Sequence, residues 1–255
     1  MSQTPTPKQP GRGFWSELGG LLPPRPGEHG RGGYYRAASA GEVLVGAAGL
    51  AQGATYNEVV VTAGVRALQK RANELQLGTA ALALTGQVGP RTGDAFRAIQ
   101  ARWRLTEDGI CGPKTVRAVV VPIVVSTAMS WGVPAWCLGG IVGAESQWDP
   151  AAVGVKTPAD TGICQINRAA HPGVTVEQAT DFEWALEWTA KDLIGHRQEL
   201  ARVARPGMDA WELAVAAHNS PRAAKEWAES GIPGTDPDPL AYVTKVHQAW
   251  EEAKR

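Results

Sequence analysis

The sequence predicts a mainly helical protein, built as two small modules behind a Pro/Gly-rich leader. Three observations carry that reading. Apolar residues recur at three- and four-residue steps from Thr62 onward. A Gly-Pro loop pattern is repeated 23 residues later, and each copy opens an amphipathic stretch. From Val133 the helical pattern resumes between prolines, with one short alternating segment near Ile163. The 255 residues suit one large domain or two smaller ones.

Residues 1–60 form the leader. Pro5, Pro7, Pro10, Pro23, Pro24 and Pro26 with many glycines read as a flexible segment. Phe14, Trp15, Tyr34 and Tyr35 are unusual in a plain linker. They are either scattered surface hydrophobes or a docking peptide that orders on a partner. Met1–Gly13 shows no basic region followed by an apolar run, so no signal peptide is expected there. The apolar stretch 41–54 is broken by Gly46, Gly49 and Gly53 and is too short to span a bilayer. Synthesis in a cytoplasm, with any external substrate reached by separate delivery, is the expectation.

Charge and cysteines narrow the partners. Lys plus Arg and Asp plus Glu number 25 each, and the formal net charge is zero. Such a balance gives no long-range attraction to nucleic acid or to an anionic membrane. Cys111, Cys137 and Cys164 are three in number and widely spaced, which suits buried free thiols and no disulfide framework. No His-x-x-Glu-His or paired Cys–His spacing is present, so neither metal nor cofactor is expected.

The first module is expected over 61–124. Val65, Leu68, Ala72 and Leu75 mark one helix face; Ala95, Phe96, Ile99 and Trp103 mark a second; a third is expected over 115–124. Between them Gly86-Gln87-Val88-Gly89-Pro90-Arg91-Thr92 is echoed by Gly109-Ile110-Cys111-Gly112-Pro113-Lys114-Thr115. The Gly-Pro pair makes a turn, and proline then opens a helix where its missing N–H is no loss. These stretches resemble the three-helix peptidoglycan-binding domain found beside many wall hydrolases. Its usual loop is Asp-Gly-x-x-Gly-Pro-x-Thr. The copy from Asp108 matches, whereas the first has Thr85 in the Asp position. The resemblance implies peptidoglycan glycan strands as partner.

The second module is expected over 128–255. Leu138-Gly139-Gly140-Ile141-Val142-Gly143-Ala144 is an uncharged helical run that ends in Glu145-Ser146. A carboxyl group desolvated at such a place stays protonated near neutrality, as a general acid must. The plain alternative is a glutamate at an exposed helix end. Asp160 follows 15 residues later, at the head of Asp160-Thr161-Gly162-Ile163-Cys164-Gln165-Ile166-Asn167. Its alternation suggests a short strand or extended turn, with the amides of Gln165 and Asn167 suited to sugar hydroxyl and N-acetyl groups. Two carboxylates facing each other across a cleft would be the arrangement of glycoside hydrolysis.

Four ordered blocks, Glu145-Ser146, Gly162 to Ile166, Ala217-His218-Asn219-Ser220-Pro221 and Tyr242-Val243, resemble the lysozyme-like superfamily, above all its lytic transglycosylase branch. The resemblance implies an α+β catalytic domain with a short strand region. It implies cleavage of the β-1,4 bond between N-acetylmuramic acid and N-acetylglucosamine, as in phage endolysins or virion-associated lysins. By the same resemblance Glu145 is the acid, Gln165 and Asn219 line the sugar site, and Tyr242 lies near the acid. Ser146, Asn167 and Trp148 complete the candidate set, Trp148 as a sugar-stacking ring or as a core residue. The block around Asp160 is similar to that of animal lysozymes, whose Asp is the second carboxylate. With Asp160 facing the cleft hydrolysis is expected; otherwise the substrate's own C6 hydroxyl attacks, as in transglycosylases, and leaves a 1,6-anhydro sugar. A carboxyl separation of roughly 5 Å would suit retention and roughly 6.5–9.5 Å inversion. A non-catalytic wall-binding part of a phage tail or contractile injection baseplate, held through residues 1–60, is the reading from another class. A Cys164–His171 or Cys164–His218 peptidase is a third.

Overall fold

The computed structural model describes residues 58–77, 80–154 and 159–254, with the backbone of two short strands ahead of them. These strands are β1 (Tyr35–Arg36) and β2 (Leu44–Val45). The other leader residues, including Phe14, Trp15 and Tyr34, lie outside the described residues, and with them the docking reading of 1–60. The protein is mainly helical.

Helix α1 (Glu58–Leu75) begins one turn earlier than the periodicity from Thr62 indicates, and α2 (Pro90–Arg102) follows. Strand β3 (Ile110–Cys111) pairs antiparallel with β1, which pairs with β2. Helix α3 (Pro113–Trp131) is much longer than the 115–124 expected. It runs through Pro122 at the loss of one backbone hydrogen bond. Val116, Val119, Val120, Val121, Ile123, Val124 and Val125 are all buried, so α3 is enclosed on nearly every side. A helix apolar all round sits in the middle of a fold. The 124–128 boundary therefore falls inside one continuous helix. Buried side chains from α1 to the last helix form one unbroken apolar cluster.

The repeated loops are built alike, by a pair of glutamines the motif does not include. Gln69 of α1 and Gln100 of α2 are 1% and 2% exposed. Gln100 donates to Asp108 Oδ1 (2.7 Å), Ile110 O (2.9 Å) and Thr115 Oγ1 (3.3 Å), and its Oε1 accepts from Gly109 N (2.9 Å). Gln69 donates to Thr85 Oγ1 (3.4 Å), Gln87 O (2.9 Å) and Thr92 Oγ1 (3.2 Å), and accepts from Gly86 N (3.0 Å). Thr85 thus does the work of Asp108. It also accepts from Gln87 N, as Asp108 accepts from Ile110 N. Gly86 and Gly109 have φ of 75° and 71°, the left-handed region that favours glycine. Gln100→Ala is expected to lower stability by about 3 kcal/mol, because it strands buried backbone groups without partners. Urea unfolding checks it against Arg97→Ala on the exposed side of the same helix, expected to shift stability by less than about 0.5 kcal/mol.

The remaining elements are α4 (Ala135–Ser146), β4 (Asp160–Thr161), β5 (Ile166–Asn167), α5 (Val176–Thr180), α6 (Phe182–Leu200), α7 (Ala210–Asn219), α8 (Pro221–Ser230) and α9 (Pro239–Ala253). Strands β4 and β5 pair antiparallel, Asp160 opposite Asn167. Helices α4 and α9 form the most extensive helix pair, and α6 packs on both α3 and α7. Asp181 caps α6 by accepting from Trp184 N, and Lys70 of α1 donates to its Oδ2 at 2.6 Å. Gly64 of α1 is equally close to the second half: a Cβ there would meet Ala151 at 3.1 Å.

Candidate active site

The glycine run of α4 serves close packing. A Cβ on Gly139 would fall 2.1 Å from the Trp250 ring, one on Gly140 2.3 Å from the Val246 carbonyl oxygen, and one on Gly143 2.9 Å from Ala249 Cβ. Each helical glycine is unfavourable by roughly 0.5–1 kcal/mol relative to alanine. Here the missing side chains let α9 lie directly on α4. That approach delivers Tyr242, near the start of α9, to Glu145, at the end of α4. The phenol donates to Glu145 Oε1 at 2.5 Å. Tyr242 is buried and Glu145 half-buried. Burial, then the charge and hydrogen bond of Glu145, push the Tyr242 pKa well above its ordinary value. The phenol is therefore a fixed donor to one carboxyl oxygen.

Beyond Glu145 the chain turns sharply. Gln147 and Trp148 both have positive φ, 53° and 72°. Consecutive non-glycine residues of this kind are strained by about 1–3 kcal/mol each and tend to cluster at functional sites. Ser146 secures the turn: its hydroxyl donates to Val142 O and accepts from Trp148 N. Ser146 is 7% and Trp148 5% exposed, so the hydroxyl is engaged within the turn and the indole is a core ring.

Asp160 and Gln165 belong to the loop beside this turn. Gln165 (φ 50°) donates from Nε2 to Ala152 O (3.0 Å) and Gly162 O (2.8 Å). Both protons of its amide nitrogen bind backbone, so Gln165 tethers the two loops together. Asn167 likewise accepts from Ala170 N. Asp160 is half-buried, and its carbonyl accepts from Gly154 N. Asn219 is exposed at the end of α7.

The residue before it, His218, stands in the sequence as a member of the Ala217–Pro221 block and as a peptidase partner for Cys164. Its Nδ1 lies 3.2 Å from Asp192 Oδ2 of α6, and His196 Nε2 is 3.5 Å from the other oxygen. Burial opposes charge on His218, but the Asp192 hydrogen bond and charge, the Glu145 charge and the Cys164 backbone outweigh it and raise its pKa. Burial also opposes charge on Asp192, but the hydrogen bond and charge of His218, with His196 and His171, outweigh it and lower its pKa. The pair has no signature in sequence, because its members stand 26 residues apart on different helices.

Its pH dependence follows from the two directions. The raised His218 stabilises below its ordinary 6.5 and loses its contribution as pH rises through the folded value. The lowered Asp192 stabilises above its ordinary 3.8 and loses its contribution as pH falls. His218→Gln is therefore expected to lower the urea midpoint more at pH 5 than at pH 9. Equal losses at both pH values would show that His218 stabilises by packing alone.

The three cysteines are free and buried. Burial, relieved slightly by Thr189, and the nearby Glu145 charge push the Cys164 thiol up to about 12. A thiol so held is a poor nucleophile, which argues against the peptidase reading.

Residues 61–119 match the family model described as "Putative peptidoglycan binding domain". No curated protein matches the chain. The matched span holds most of α1, α2, both clamped loops and the first turns of α3, so the two glutamine clamps belong to a peptidoglycan-binding module. Helix α3 runs on past the matched span, and α4, which carries Glu145, follows it. Among the described residues no helix is long and apolar enough to cross a membrane, and none of their His, Cys, Asp and Glu side chains group to hold a metal.

Proposed function

We propose that this protein cleaves the β-1,4 glycosidic bond between N-acetylmuramic acid and N-acetylglucosamine in peptidoglycan, with Glu145 as the acid. The observation that carries the reading is the 2.5 Å hydrogen bond from the buried Tyr242 phenol to a half-buried carboxyl group, in a chain that also bears a peptidoglycan-binding module.

With Glu145 protonated, Tyr242 holds the carbonyl-type oxygen and leaves the acidic O–H to point at the glycosidic oxygen. As the bond breaks, the proton passes to the leaving sugar, and the same phenol hydrogen bond stabilises the carboxylate that forms. His218, whose pKa the hydrogen bond and charge of Asp192 raise against the opposing effect of burial, adds positive charge near that carboxylate when it is protonated. Asp160 stabilises the sugar cation, attacks it or activates water. On this reading Asn219, exposed at the end of α7, orients the glycan. The chain acts on the cell wall, delivered there by host lysis machinery or carried on a particle.

Product analysis by mass spectrometry after digestion of purified peptidoglycan tests this. Reducing muropeptides are expected, lost in Glu145→Gln and strongly reduced in Asp160→Asn. Anhydro-muropeptides, unaffected by Asp160→Asn, would assign a transglycosylase instead. Binding to the wall with no cleavage of glycan would leave a non-catalytic wall-binding component.

A further inference from the structure

Helix α1 belongs for most of its length to the peptidoglycan-binding module, yet it touches the other half of the chain at two points. Gly64, Ala67 and Lys70 recur at three-residue steps and are neighbours along one side of the helix. Gly64 and Ala67 are buried. A Cβ on Gly64 would meet Ala151 Cβ and Ala151 N at 3.1 Å and Pro150 C at 3.2 Å. The helix backbone therefore rests on the peptide between Pro150 and Ala151, with little room for a side chain. At the other end of the same side, Lys70 Nζ donates to Asp181 Oδ2 at 2.6 Å and lies 3.8 Å from Glu183.

These two contacts bracket the part of the chain that bears Asp160, Gln165 and Asn167, all of which lie between Pro150 and Asp181. Next to Ala151, the Ala152 carbonyl accepts from Gly162 N at 2.9 Å and from Gln165 Nε2 at 3.0 Å. Val153 then bridges to Thr161, the neighbour of Asp160. Toward the other end, α5 leads directly into Asp181 and packs on α1. It also presses on the same loop, since a Cβ on Gly162 would overlap the Ala179 carbonyl oxygen. On the near side the turn joins straight to Glu145: Asp149 N donates to Ser146 O at 3.0 Å. A shift of α1 would thus move Ala152 and α5 together, and with them the strand that carries Asp160. Close-packed interiors pass such shifts on.

We propose that α1 braces the candidate active site as well as forming part of the wall-binding module, with Gly64 and Lys70 as positioning residues for the loop that carries Asp160. The expected effect on cleavage rests on the glycosidase reading above; the expected effect on structure rests on packing alone. In the full chain, Gly64→Val is compared with Gly195→Val, which places the same side chain in helix α6 where a Cβ would meet nothing within 4 Å. Gly64→Val is expected to move the backbone amide NMR signals of residues 160–167. It is also expected to lower kcat at least about tenfold on a soluble, peptide-free oligosaccharide of alternating N-acetylglucosamine and N-acetylmuramic acid, because a misplacement of about 1 Å can cost 10²-fold. KM and sedimentation with peptidoglycan are expected to stay unchanged, and Gly195→Val to do none of this. Lys70→Met opens the second contact without overpacking, and so carries the test if Gly64→Val does not fold. It is expected to move the same amides and to lower kcat about threefold, as for a partly exposed ion pair, whereas Lys70→Arg is expected to keep wild-type activity. Amides of 160–167 unmoved by both substitutions would overturn the proposal. Lost sedimentation with kcat unchanged would overturn it in favour of a helix that serves wall binding alone. Moved amides in a chain that cleaves no glycan would reject the glycosidase reading and keep the brace, and cleavage with unmoved amides would do the reverse.

Discussion

Glu145→Gln is expected to reduce glycan cleavage by at least about 10³-fold while leaving sedimentation with purified peptidoglycan unchanged. General acid catalysis typically contributes about 10²–10⁴-fold, and an amide of the same shape has no proton to give. The substitution barely disturbs packing, because Glu145 is half-buried and a glutamine oxygen still accepts from Tyr242. The loss should therefore appear in kcat, with the urea midpoint within about 0.5 kcal/mol of wild type. Tyr242→Phe separates holding the acid from being the acid. It removes one hydrogen bond to a charged group, worth about 1.5–3 kcal/mol, so a loss of about 10–100-fold is expected. Clearing of peptidoglycan suspensions measures both. Full activity in Glu145→Gln would reject Glu145 as the acid.

A loss of both stability and activity is expected from Gly140→Ala. In an ordinary exposed helix this change stabilises by roughly 0.5–1 kcal/mol. Here the added methyl would lie 2.3 Å from the Val246 carbonyl oxygen, which is backbone and cannot rotate away. Helices α4 and α9 must separate, and overpacking of this kind costs about 1–3 kcal/mol. The opposite sign from the usual glycine-to-alanine change is the diagnostic. Separation also pulls Tyr242 from Glu145, so activity should fall with stability. Spectrophotometric titration of the tyrosines checks the mechanism: the raised Tyr242 pKa should move back toward its ordinary 10.0. A variant as stable as wild type, with Tyr242 unmoved, would show that the glycines do not set the helix spacing.

The helical class, the repeated Gly-Pro loops and the candidacy of Glu145 were legible because each rests on local signals. Apolar period, turn residues and helix-opening prolines act over a few positions and survive in a linear reading. The length of α3 was not legible, since a helix buried on nearly every side has no amphipathic period to mark where it ends. Nor were Gln69 and Gln100, because buried glutamines look like any polar residue until the loops they clamp fold over them. Ser146 and Gln165 stood in the sequence as glycan-binding candidates, yet the hydrogen bonds that hold them are to backbone brought close by the fold.

By itself the sequence determined what each segment could form: three helices with two proline-opened loops, then a helical region carrying a carboxyl group at the end of a small-residue helix. The tertiary structure alone decided what those segments do for one another. It laid α9 on the glycines of α4 and so put a phenol on Glu145. It paired Asp192 with His218 across two helices, and it fused both halves through one buried helix. The physical reason is range. Propensity and turn chemistry act between neighbours along the chain, whereas hydrogen bonds, charge and close packing act between residues that only folding brings together.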